Sequence, residues 1–305
     1  MLDRSNPYYR QVELLLTLVP LVGTETCFAL KGGSAINLFM RDLPRLSVDL
    51  DLTFLPVKDR AQSLKEMDAA LGRIGAAITR AVSGAGVQLT GGAPGERTRL
   101  LVSRDGVRVK LEVSPVLRGA VGEPEVRSVC PAVESQFGYT EMPLLHPHDL
   151  YAGKLCAALD RQHPRDLFDV KLLLEDEGID DALLPVFIVY VISGNRPLAE
   201  MIAPQFHPLE SVFDTQFKGM TRQPVRVEEL EETRLTLVDL IQARLTDAQR
   251  RFLISFKKGE TDWSLLSLPG VEQLPAVQWK LINIGRMPKT KHAAAVEKLR
   301  EILFG

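Results

Sequence analysis

Two aspartates separated by one residue, Asp49-Leu50-Asp51, follow Gly32-Gly33-Ser34 by fifteen residues in the segment FALKGGSAINLFMRDLPRLSVDLDLTF. On an extended strand, residues i and i+2 share a face, so the two carboxylates stand about 6.6–7 Å apart along it. Such a pair suits Mg²⁺, which takes hard oxygen ligands and shares them with substrate phosphates. A Gly-Gly-Ser turn after an apolar run lets backbone N–H groups approach a phosphate closely. Together the two pieces point to phosphoryl or nucleotidyl transfer. The Gly-x-x-x-x-Gly-Lys-[Ser/Thr] pattern of a P-loop is absent, so this is not a Walker-type site. Charge placed on a strand edge to block aggregation is the competing reading of Asp49 and Asp51.

Glu112, in VRVKLEVSP, supplies a third carboxylate from a separate strand. Two-metal catalysis draws acidic oxygens from more than one element to hold ions about 3.5–4 Å apart. Glu112 is therefore a candidate ligand or base; the plainer alternative pairs it with Lys110 or Arg108 on a solvated face. A second cluster lies in LYAGKLCAALDRQHPRDLFDVKLLLE. Lys154 and Arg161 are seven residues apart and share a helix face. They suit a triphosphate, the lysine as a point charge and the arginine as a fork. Arg165 follows with Asp166 and Asp169, which are neighbours at i, i+3 spacing. Its competing reading is a solvated helix laced by ion pairs such as Arg165–Asp169. Lys280, Arg286, Lys289, Lys291, Lys298 and Arg300 form a locally basic run, suited either to RNA phosphates or to a solvated helix face.

The elements that must position these residues follow from patterning. Residues 9–22 predict a helix, and Phe28–Leu30 a short apolar run ending at the glycines. Ser34 is expected to cap a helix over Ala35–Met40. Leu46–Phe54 alternates as a strand, with Asp49 and Asp51 on one face and Val48, Leu50 and Leu52 on the other. Ala61–Val82 predicts a helix. TRLLVS, Asp105-Gly106 and VRVKLEVSP predict a β-hairpin, with Val107, Val109, Leu111 and Val113 toward the core, and Val126–Cys130 one further short strand. From His148 the pattern is helical: His148–Leu159, then a helix opened by Pro164 and stopped at Gly178, then further helices. Thr246 to Gln249 reads as a capping box. The chain divides into an α/β half, residues 1–145, and a mainly helical half, residues 146–305.

Composition sets outer bounds. Of 305 residues, 45% are hydrophobic and 25% charged, as in ordinary globular proteins, and a net charge of −2 gives no global basic field for nucleic acid. Any RNA contact must use a local patch. Cys27, Cys130 and Cys156 are too scattered for a disulfide framework or a zinc site and read as small buried apolar residues. His146, His148 and His163 form no metal array. The start, MLDRSNPYYR, lacks the pattern of a secretion signal, and no apolar run reaches the roughly 18 residues of a membrane span. A cytoplasmic protein is expected.

LKGGSAINL, SVDLDL, VKLEVSP and AGKLCAALDRQHPRDLFDV stand in the order found in the AbiEii family, nucleotidyltransferase-like toxins of abortive-infection toxin–antitoxin systems related to the MenT toxins. The resemblance covers roughly residues 25–175. It implies an α+β fold: a polymerase-β-like nucleotidyltransferase core with a mixed sheet, plus a helical region that completes the active site and binds acceptor. It also implies Mg²⁺, with two ions expected, a nucleoside triphosphate, and a cognate antitoxin with or without direct binding. Some members resemble enzymes that add nucleotides to tRNA 3′ ends and so stop translation. Ser34, with Gly32 and Gly33, matches the phosphate-contacting segment, Asp49 and Asp51 the metal-binding pair, Lys154 the essential lysine, and Asp166 or Asp169 the late aspartate. The expected reaction is attack of an acceptor hydroxyl, at a tRNA 3′ end, on the α-phosphate of a nucleotide. Transfer to a protein or small molecule, and a non-catalytic nucleotide-binding regulator, are the alternatives.

Overall fold

The computed structural model describes residues 7–305. The first six residues of MLDRSNPYYR, part of the segment read above for a secretion signal, lie outside the described residues. The described chain up to His146, with Gly219–Pro224, forms one compact unit; Pro147–Lys218 with Val225–Gly305 forms a second.

The first unit runs α1 (Pro7–Val22), β1 (Phe28–Lys31), a short α2 (Gly32–Ala35) continued by a π-helical turn (Ile36–Met40), β2 (Asp49–Phe54), α3 (Arg60–Ala81), β3 (Gly86–Thr90), β4 (Arg99–Arg104), β5 (Val107–Val113), β6 (Glu125–Ser128), α4 (Pro131–Phe137) and β7 (Glu141–Leu144). The strands form a mixed sheet in the order β3-β4-β5-β2-β1-β7-β6. β2 runs antiparallel to β1 and parallel to β5. Leu50, Leu52 and Phe54 are fully buried, while Asp49 and Asp51 are half-buried on the opposite face, as alternation requires. In α3, Leu64, Met67, Leu71, Ile74 and Ile78 recur at helical spacing and are buried. Asp59 caps that helix by accepting from Gln62 N–H at 2.9 Å. The β4–β5 hairpin turns through Asp105 (φ 49°) and Gly106 (φ 77°), both left-handed, as a tight hairpin needs.

Two local expectations are corrected. β2 begins at Asp49 rather than Leu46. The Leu46 N–H instead donates to the Met220 carbonyl at 2.9 Å, and Arg222 N–H to Pro44 at 2.8 Å. The returning segment Gly219–Pro224 thus takes the hydrogen bonds that a longer strand would have used. The helix after β1 starts at Gly32, with Lys31 in the cap position, so Ser34 is not its cap.

The second unit is helical: α5 (Pro147–Asp160), α6 (Pro164–Asp176), α7 (Leu183–Ser193), α8 (Leu198–Ile202), α9 (Glu210–Gln216), α10 (Val227–Arg244), α11 (Asp247–Lys258), α12 (Pro275–Gly285) and α13 (Lys289–Phe304). α7, LLPVFIVYVIS, is apolar on every side and buried along nearly all its length, so it forms the centre of the unit, with α5 and α12 packed against it. α6 packs against α5 and α10. Gly178, at φ 74°, closes α6 by donating to the Leu173 carbonyl at 2.7 Å. Thr246 and Gln249 exchange both capping-box bonds at the start of α11. No described helix is long and apolar enough to cross a membrane.

Candidate active site

Strand register makes the first unit's charge pattern concrete. Lys31 pairs with Asp51, Asp51 with Glu112, and Glu112 with Arg99. One row of side chains, plus–minus–minus–plus, therefore crosses β1, β2, β5 and β4 on a single face. The row below pairs Asp49 with Lys110. Glu112 is held from both sides: Arg99 Nη2 donates to Oε1 at 2.5 Å, and Lys110 Nζ to Oε2 at 2.8 Å. Burial raises the Glu112 pKa, but these two cations outweigh it and hold the carboxyl below its usual value. Burial likewise opposes the Lys110 charge, and Glu112, Asp49 and Asp51 raise its pKa against that. At the end of β1 burial prevails and the Lys31 pKa falls, although Asp51 and Glu112 favour its charged form.

The glycines fit closely under this row. Gly32 adopts φ +74°, and a Cβ there would lie 3.0 Å from Asp51 Oδ2. At Gly33 a Cβ would meet Arg45 Nη2 at 2.7 Å and Ser47 Oγ at 2.8 Å. The positive φ favours glycine at the first, and a side chain at the second would make Arg45 and Ser47 shift. Ser34 is buried; its hydroxyl donates to the Asp49 carbonyl, with Ser47 Oγ 3.1 Å away. In this arrangement it anchors the start of the aspartate strand rather than presenting a free hydroxyl to a phosphate.

The donor set of Asp49 and Asp51, two half-buried carboxylates on one face beside a glycine turn, fits a hard divalent cation. Among the described residues, no three His, Cys, Asp or Glu side chains converge to hold an ion. Glu112 faces Arg99 and Lys110 instead.

The second unit contains a different ionic group. Lys154 Nζ lies 2.7 Å from Asp166 Oδ1 and 2.8 Å from Asp169 Oδ2, and the three side chains are 5%, 1% and 0% exposed. Arg161, mostly exposed, grips the same Asp166 with Nε at 2.6 Å and Nη2 at 3.0 Å. Lys154 and Arg161 thus share a face, as their spacing implies, but they share it with a carboxylate. Burial opposes the Asp166 charge, and Lys154 and Arg161 overcome it, holding the carboxyl far below its usual pKa. The solvated reading of this segment is overturned, because Asp169 is buried and pairs with Lys154 rather than Arg165. Arg165 makes no ion pair among the described residues. Its backbone N–H donates to His163 Nδ1, the cap of α6.

The basic run divides. Lys280 donates to the Gly194 and Arg196 carbonyls, and burial lowers its pKa to about 8, so it is a structural residue. Arg286, Lys289, Lys291, Lys298 and Arg300 are exposed. Cys27, Cys130 and Cys156 are free and only partly buried; burial raises the Cys27 pKa to about 11. Residue spacing alone did not single out Lys31 and Arg99. Their signal was present: each lies on the carboxylate face of a strand adjoining an acidic one.

Residues 13–283 match the model of the nucleotidyl transferase AbiEii toxin family of type IV toxin–antitoxin systems. The chain belongs to the AbiEii family. As a member it is a nucleotidyltransferase, the toxin of a toxin–antitoxin system with a cognate antitoxin. Its α+β architecture resembles that of MenT4, nucleotidyltransferase toxin Rv2826c from Mycobacterium tuberculosis H37Rv. The TM-score is 0.61 at 16% identity, over 91% of this chain and 93% of that one. At that identity the likeness speaks for the fold. Comparison with curated proteins finds no match.

Proposed function

We infer that this AbiEii member transfers a nucleoside monophosphate from a nucleoside triphosphate to an RNA hydroxyl, at a tRNA 3′ end, with Mg²⁺, and so blocks translation in the cytoplasm. The observation that carries the reading is the register of β1, β2 and β5, which sets Asp51 beside Glu112 with Asp49 two residues away on the same face. Asp49 and Asp51 would hold the ions. When bound, the metal lowers the pKa of the attacking hydroxyl and neutralises charge on the departing pyrophosphate.

This chain's own groups do the rest. Backbone N–H groups at Gly32 and Gly33 take the β- and γ-phosphates, with Ser34 fixing the turn against the Asp49 carbonyl. Glu112, once exchanged from Arg99 and Lys110, serves as third ligand or as base for the acceptor proton. Arg99, Lys110 and Lys31 then face the incoming phosphates and stabilise developing negative charge. In the second unit, Lys154, Arg161, Asp166 and Asp169 act as positioning residues: the lysine expected to meet a triphosphate is already committed to two buried carboxylates. The exposed cations from Arg286 to Arg300 bind acceptor.

The test incubates the protein with Mg²⁺, each labelled nucleoside triphosphate and total RNA or lysate, and asks which macromolecule takes label. Labelled tRNA with pyrophosphate release is expected. A labelled protein band with unlabelled RNA would overturn the acceptor assignment.

A further inference from the structure

Within the second unit, a cavity of about 480 Å³ is lined by Lys258, Thr261, Trp263, Met287, Lys289 and His292, among others. That volume falls within the roughly 300–1,000 Å³ of small-ligand sites. It is both aromatic and cationic. Trp263 is backed by Phe252 and Phe256, at ring-centroid distances of 5.5 and 6.2 Å, which make it a fixed platform. Beside the cavity lies a lysine in an unusual state. Lys257 is 8% exposed, and no carboxylate pairs with it among the described residues. Among the described residues its ammonium donates only to the Met287 sulfur at 3.5 Å, a weak acceptor on the cavity wall, while its carbonyl accepts from His292 Nε2 at 2.6 Å. Burial, followed by repulsion from Lys291, lowers its pKa.

The surroundings do not neutralise that charge. Asp262 accepts from the Ser264 N–H and hydroxyl, and Glu260 stands exposed without an ion pair among the described residues. Lys289 and Lys291 occupy the first turn of α13, the positive end of its dipole, with no acidic residue there. That placement disfavours the isolated helix and favours a bound anion. Thr261 Oγ1 is buried with no hydrogen-bond partner among the described residues. A buried ammonium, an unpartnered hydroxyl and a helix start call for an anion, while the backed indole calls for a flat aromatic group.

We propose that this cavity holds one nucleotide unit of a single-stranded RNA, its base stacked on Trp263 and its phosphate between Lys257 and Lys289. A strand is favoured over a free nucleotide because exposed Arg286 and Lys291 adjoin the cavity-lining residues in sequence and can meet flanking phosphates. The proposal rests on the RNA acceptor inferred above and supplies it with a grip remote in sequence from the carboxylate strands.

The experiment uses the full chain carrying Trp279→Phe, so that Trp263 is the sole tryptophan. Its emission is titrated with a ten-residue cytidine RNA, with AMP and with inorganic phosphate, without divalent metal or triphosphate. Saturable quenching by the RNA is expected, at least about tenfold tighter than by AMP, with none by phosphate. Lys257→Met and Lys289→Glu should each weaken RNA binding about tenfold and reduce the salt slope by about one. Lys257→Met should also melt no lower than the parent, which a merely structural lysine would not allow. Absence of saturable quenching, equal affinity for AMP and RNA, or unaltered binding in both variants would overturn the proposal. RNA binding here without label transfer in the activity assay would sink the proposed function and leave the cavity assignment standing. Undiminished RNA labelling by both variants at limiting RNA would do the reverse.

Discussion

Replacing Lys154 with alanine tests how the second unit uses its buried charges. The ammonium sits between Asp166 and Asp169, and none of the three side chains is more than 5% exposed. Removing it leaves two carboxylates in a site built for their neutralisation, with Arg161 still on Asp166. Breaking a buried pair from one side costs about 3–5 kcal/mol, far more than an exposed pair is worth. The loss should depend on pH, and its sign follows from linkage. In the native protein the depressed Asp166 pKa contributes stability that is full above the unfolded value near 3.8 and fades only as pH falls below it. In the variant, burial without the lysine raises a carboxyl pKa above the unfolded value. The penalty is then complete at neutral pH and shrinks as pH falls toward 4. Urea unfolding of both proteins at pH 7 and pH 5 reads this directly. The gap should narrow at the lower pH, and adding Asp169→Asn to Lys154→Ala should recover part of it. A loss below about 1 kcal/mol at pH 7, or a gap that widens on acidification, would refute the buried-network reasoning.

Asp49→Ala and Asp51→Ala should each cut label transfer about a thousandfold or more, since a lost ligand forfeits several kcal/mol of transition-state charge stabilisation, while circular dichroism stays unchanged. A fully active Asp49→Ala protein would remove the metal assignment. Glu112→Gln should abolish transfer yet shift the unfolding midpoint little, because its ion pairs are about one-third exposed and worth about 0–1 kcal/mol; retained activity would leave Glu112 a surface counter-ion. Gly33→Ala should destabilise the first unit by about 1–3 kcal/mol, because its Cβ would press on Arg45 and Ser47. Unfolding at the parental urea concentration would show that the turn has slack there.

The sequence reveals most where a physical period is uninterrupted. The hairpin, α3, the aspartate strand and the capping box at Thr246 each follow from alternation, helical spacing or turn chemistry acting locally. The start of β2 was not legible, because Gly219–Pro224, far away in the chain, takes the hydrogen bonds of Pro44 and Leu46. Ser34 departs from the expected capping position for a related reason. Its hydroxyl is directed by the carbonyl of Asp49, a contact that local capping rules do not anticipate. Spacing correctly put Lys154 with Arg161 and Asp166 with Asp169 on shared faces. It could not tell that the faces meet each other in the interior, since burial depends on packing around α5 and α6 rather than on the residues' own period.

The two ionic groups contain similar residue types and differ in what exposure lets them do. Around β2, three carboxylates (Asp49, Asp51 and Glu112) share one face with three basic side chains (Lys31, Lys110 and Arg99). The pairs that hold Glu112 leave its side chain 32% exposed and its partners 34–40% exposed. Water screens those bonds, and exchanging a cation partner for another cation costs little. In the Lys154 group, by contrast, every exchange would leave a desolvated charge behind. Under the proposed function, the first arrangement would give up its lysine and arginine to metal and triphosphate, and the released cations would stand beside the phosphates. The second is suited to staying as it is. Exposure, more than residue type, therefore supports the proposal that the sheet carries the changing chemistry while the buried lysine serves as fixed scaffold.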